Sequence, residues 1–169
     1  MSTSNARRLK TTVIPLYYMK VISDLHFHSI PKKEIYYATK SKLVSESNGY
    51  LRTLRGDQIT YQFRINGLTL LIVEDDYFET IEYWFYLLNE NWKILDCINP
   101  PESIGYIKNL EVVDENNLRL TFSDFDSEQN YQLTVFEKKC MNFNFNDLFY
   151  RRFRFWFNRK SLKFIKTVV

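Results

Sequence analysis

The chain has 169 residues, 45% of them hydrophobic and 17% aromatic, with a formal net charge of +3. That length buries a core without covalent staples, and the composition points to a folded globular chain rather than a disordered one. Only four glycines and four prolines punctuate it, which argues against a glycine-rich cofactor fold, and no apolar run approaches the roughly 20 residues of a membrane helix.

One α+β domain over 1–169 is expected: an antiparallel meander with one amphipathic helix and one or two further helices packed on it. The amino terminus, "MSTSNARRLKTT", is basic but is followed by no small-residue cleavage site, so a cytoplasmic protein is expected. Cys97 and Cys140 lack any ligand-type spacing and read as thiols in a reducing compartment.

In chain order, "ISDLHFHSI" (22–30) reads as a strand ending at Pro31, with His26 and His28 on one face. "PKKEIYYATKSKLV" (31–44) is read as a helix opened by Pro31. Two β-rich runs within 58–73 flank Asn66-Gly67, the pair suited to a two-residue hairpin turn because both positions need positive φ. In 75–90, apolar residues at Tyr77, Phe78, Ile81, Trp84, Phe85 and Leu88 match one helical face, and Asp76 with Glu79 reads as a capping box. Strands follow at 92–98, 107–113, 118–122 and 131–137. The segment 147–157 fits helix and strand patterns equally.

"ISDLH" resembles the first block of calcineurin-like metallophosphoesterases, which implies metal-binding roles for Asp24 and His26, with Asp57 of "RGD" as a bridging carboxylate. "DLHFHS" resembles the opening of PHP-type phosphoesterases, which implies His26 and His28 as ligands. Both families draw further histidines from late in the chain, and a two-metal site needs ligands from several loops. Here His26 and His28 are the only two histidines. Neither family is assigned, and no metal ligand, cofactor or catalytic residue is expected.

Charge is strongly segregated. Residues 1–73 carry 11 Lys and Arg against 4 Asp and Glu; residues 74–137 carry 3 against 15; residues 138–169 carry 9 against 1. On a helix over 75–90, Asp76, Glu79, Glu82, Tyr83, Tyr86 and Glu90 would form an acidic, tyrosine-bearing surface with no local cation. Such a surface suits a cationic protein partner, with aromatic anchors and charge-steered encounter. The expected function is a non-catalytic binding module of the kind that neutralises a toxin or effector enzyme by occluding its active site, as an immunity protein does. The alternative is nucleic-acid binding through the basic and aromatic residues Arg151, Arg152, Arg154, Phe155, Arg159 and Lys160.

Overall fold

The computed structural model describes residues 19–30, 39–77, 80–100, 105–124, 127–140 and 160–167. Within them the chain is all-β: 12 strands in three antiparallel sheets, with no helix. The strands are β1 (Lys20–Val21), β2 (Leu25–Ser29), β3 (Lys40–Ser45), β4 (Gly49–Arg55), β5 (Gln58–Ile65) and β6 (Leu68–Tyr77). They continue as β7 (Thr80–Leu88), β8 (Ile94–Ile98), β9 (Tyr106–Val112), β10 (Asn117–Asp124), β11 (Ser127–Cys140) and β12 (Lys160–Thr167). A five-stranded sheet runs in the order β1-β5-β6-β7-β8, a four-stranded sheet β12-β11-β10-β9, and a three-stranded sheet β2-β3-β4.

The expected α+β fold is therefore overturned, and the helix over 75–90 is the point where it fails. These residues form the far half of β6 and all of β7, paired from Tyr77↔Thr80 to Thr69↔Leu88. The apolar spacing that fits a helical face is also present because "YWFYLL" (83–88) is apolar at every position, and all six residues are buried. An unbroken apolar run of this length suits a strand covered on both faces as well as it suits a buried helix. The expected helix over 31–44 is also corrected where it is described: Lys40–Ser45 is strand β3, alternating exposed lysines with buried Ser41 and Leu43. The expected strands over 58–73, 92–98, 107–113, 118–122 and 131–137 coincide with β5 to β6 and β8 to β11. Asn66 and Gly67 both have positive φ, 47° and 78°, which the two-residue hairpin requires.

Two cores lie on opposite faces of the five-stranded sheet. Phe63, Leu70, Ile72, Tyr83, Phe85 and Leu87 pack against Leu118, Leu120, Phe122, Leu133, Leu162 and Phe164 of the four-stranded sheet. The alternate residues Leu71, Val73, Trp84, Tyr86 and Leu88 pack against Leu25, Leu43 and Leu54 of the three-stranded sheet. β6 and β7 thus form a central ribbon whose odd and even residues serve different layers.

Buried polar groups join the layers. Asp96, on β8, accepts from the backbone N–H groups of Ser161 (2.8 Å) and Leu162 (2.9 Å) on β12 and of Cys97 (2.9 Å). Asp75, on β6, accepts from Thr39 N–H at 2.9 Å, where the chain enters β3. Gly56, in the link from β4 to β5, has φ +111°, and a Cβ there would lie 2.0 Å from Val73 Cγ1. No side chain fits, so "RGD" is a tight crossing between two sheets.

Truncation on either face of the ribbon tests this arrangement. Ile72→Ala and Leu71→Ala empty different cores, and each is expected to cost about 2–5 kcal/mol. Urea denaturation should still give one transition for each variant, because both cores share the same two strands. Two separated transitions would show that the layers unfold independently.

Candidate functional site

The acidic residues expected to share a helical surface are distributed along a β-hairpin. Asp76 stands opposite Ile81 and Asp75 opposite Glu82, close to the turn. Glu90 lies beyond Leu88, whose partner Thr69 is seven residues from Asp76, so about 24 Å separates the two ends. At that far end the Glu90 carboxylate stands beside Gly67 of the β5–β6 turn. Asp76 and Glu90 are exposed and Glu82 is half-buried. Glu79 lies outside the described residues.

Tyr83 and Tyr86, expected at the surface, are buried on opposite faces of β7, with 3% and 4% exposure. The odd spacing of three residues separates them on a strand, where it would join them on a helix. Each ties the ribbon to a neighbouring sheet. The Tyr83 hydroxyl accepts from Ile107 N–H of β9 at 3.1 Å, and its ring meets Phe122 edge-on. The Tyr86 hydroxyl donates to the Arg55 carbonyl and accepts from the Arg55 N–H, at 3.3 and 3.2 Å. Burial, chiefly, pushes the Tyr83 phenol well above its ordinary range, and the Glu74 charge adds to the effect. These two tyrosines are structural crosslinks and cannot anchor a partner.

The carboxylates that do come together are at the turn end of the ribbon. Asp57 follows the Gly56 crossing, and its N–H donates to the Glu74 carbonyl at 2.9 Å. Burial raises its carboxyl above the ordinary value, the nearby Asp75 charge raises it further, and Asp76 adds a smaller push. Backbone N–H donation from Asp76 and from Asp57 itself opposes this. Asp57, Asp75 and Asp76 therefore lie within reach of one another's charge at this end. The ion pairs found among the described residues, His26–Glu46, Lys108–Glu128 and Arg119–Glu111, involve none of Asp57, Asp75 and Asp76.

The histidine motif occupies another face. His26 and His28 are exposed on β2, and His26 Nε2 lies 3.2 Å from Glu46 Oε1 in the β3–β4 turn. Among the described residues no group of three or more His, Cys, Asp or Glu side chains could hold a metal ion. Asp24, His26 and Asp57 of the phosphoesterase resemblance do not converge. Cys97 is buried in the core shared with Trp84 and Tyr86. Of the basic carboxyl-terminal set, Arg151, Arg152, Arg154, Phe155 and Arg159 lie outside the described residues, and Lys160 opens β12.

Sequence reasoning missed two surfaces. Asp57 was singled out only as a metal ligand, although its proximity to Asp75 is set by the Gly56 crossing. Lys40 and Lys42 fall within the helix expected over 31–44, and the alternation in "KSKLVS" is the signal that puts them on one strand face; Tyr50 and Thr53 join them from β4.

No family model matches this chain, nor does any curated protein or solved structure. Among the described residues, no helix is long and apolar enough to cross a membrane.

Asp57 offers a direct electrostatic test. A carboxyl raised in the folded state favours folding most below its unfolded value, about 3.9, and that contribution is lost as pH rises through the folded value. Asp57→Asn should therefore raise Tm relative to the wild type at pH 7 and leave it nearly unchanged at pH 3. Thermal denaturation at both pH values checks this. An equal shift at the two would remove the charge argument.

Proposed function

We propose that this protein is a non-catalytic cytoplasmic binding module whose partner is a cationic protein, in the manner of an immunity protein that blocks a toxin or effector enzyme. The observation that carries the reading is the turn end of the β6–β7 ribbon. Half-buried Asp57 lies close enough to buried Asp75 and exposed Asp76 for their charges to raise its carboxyl, an effect second to that of its own burial, and a cation would relieve that repulsion. Docking a lysine or arginine there would return Asp57 toward its ordinary ionisation, so the attraction strengthens as the partner seats.

The proposed mechanism is occlusion. The hairpin end projects carboxylates into a basic cleft and excludes its anionic substrate. Backbone ordering contributes little cost, because β6 and β7 are paired with each other as far as Tyr77↔Thr80 before the partner arrives. The tyrosines first expected as anchors have no part in this version. The acids nearest the turn carry it instead.

The product of a neighbouring open reading frame is the partner to test first. Asp76→Lys combined with Glu82→Lys should slow association about tenfold or more at low salt, with a much smaller difference at 0.5 M salt, where charges are screened within a few ångströms. Stopped-flow or surface-based kinetics on folded variants would measure it. An unchanged association rate at low salt would show that this end is not the docking surface.

A further inference from the structure

The outer face of the three-stranded sheet has a different character. Its inner face supplies Leu25, Leu43 and Leu54 to the core, so the alternate residues point to solvent. Cross-strand register arranges those residues in rows. His28 of β2 stands opposite Lys42 of β3, which stands opposite Thr53 of β4. The next row is His26, Val44 and Tyr50, and Lys40 continues the line of β3 beyond Lys42. His26, His28, Lys40, Lys42, Tyr50 and Thr53 are all exposed, Tyr50 at 61%. Among the described residues, Glu46 in the turn is engaged with His26, and the Thr39–Asp75 hydrogen bond brings a buried carboxylate near the Lys40 end.

We infer that this face binds single-stranded nucleic acid. Two lysines at i and i+2 on the central strand stand about 7 Å apart, on one line, where they can follow successive phosphates. A tyrosine and two imidazoles flank that line on the outer strands. Planar side chains on a sheet surface stack bases, and bases offer their faces when they are unpaired. The Tyr50 hydroxyl contacts Thr53 Oγ1 at 3.3 Å, which orients the ring along the face. An acidic peptide would meet the lysines but would leave the three planar groups without a matching contact, so the nucleic acid is the better fit. This site is separate from the carboxyl-terminal basic segment and does not rest on the cationic-partner reading.

The test uses the full chain and a fluorescein-labelled 15-nucleotide oligothymidylate, followed by anisotropy at 25 mM salt. Binding is expected, with affinity falling as salt rises and a slope that loses about 0.7 for each lysine removed from a phosphate. Lys40→Glu with Lys42→Glu should weaken binding tenfold or more. Tyr50→Ala should weaken it about fivefold or more through lost stacking. These side chains are exposed, so circular dichroism and Tm should match the wild type. No binding at 25 mM salt overturns the inference. So does binding that survives the lysine and tyrosine changes but is lost in Arg151→Ala, Arg152→Ala, Arg154→Ala. Equal affinity for a 15-residue polyglutamate would assign the face to protein carboxylates and overturn it as well.

Discussion

Burial of the β6–β7 ribbon on both faces is the constraint on which the other layers depend. A strand covered on one face alternates apolar and polar residues; one covered on both must be apolar throughout. Residues 83–88 meet that condition, and 70–73 meet it on the paired strand. Backbone groups are satisfied laterally where β5 flanks β6 from Leu68 to Glu74 and β8 flanks β7 from Phe85 to Leu88. The ribbon is therefore the common wall of two cores, with Phe85 touching Phe164 on one side and Trp84 stacked with Tyr86 on the other.

The links between layers are polar, and they change how the charge of this protein should be read. Asp75 and Asp96 count among the acids of the middle third, but both are buried; Asp96 accepts from three backbone N–H groups and Asp75 from one, that of Thr39. A carboxylate held by amide donors needs no cation beside it. Part of the apparent excess of negative charge is thus internal structure. Of the other described acids, Asp76 stands toward one end of the ribbon, Glu90 at the opposite end, and Glu111 and Glu128 in surface pairs with Arg119 and Lys108.

Charge that is segregated along the chain becomes segregated in space because each sheet is built mainly from one stretch of sequence. Residues 25–55 supply the whole three-stranded sheet, and 106–167 the whole four-stranded sheet. The basic first third therefore yields a sheet face with Lys40 and Lys42, while the acidic region just after it yields the ribbon's turn. The Gly56 crossing and the Thr39–Asp75 hydrogen bond bring these two surfaces close together.

Some features were settled by sequence alone, because their physics is local. Asn66-Gly67 dictates a turn through positive φ at two successive residues. Alternation with turn residues between runs places β9, β10 and much of β11, where one face is covered and the other wet. Two histidines in 169 residues exclude the histidine-rich metal sites that the opening motif resembles. The ribbon was not decided locally. Its apolar residues satisfy a helical period and a doubly buried strand alike, and the choice depends on whether a second sheet arrives to cover the other face. That choice then sets the site: on a helix Tyr83 and Tyr86 share a surface with Glu79 and Glu90, whereas on a strand they enter two different cores. Only tertiary packing could decide it, because the free energy that separates the alternatives comes from residues distant in the chain, such as Leu43, Leu54, Phe122 and Phe164.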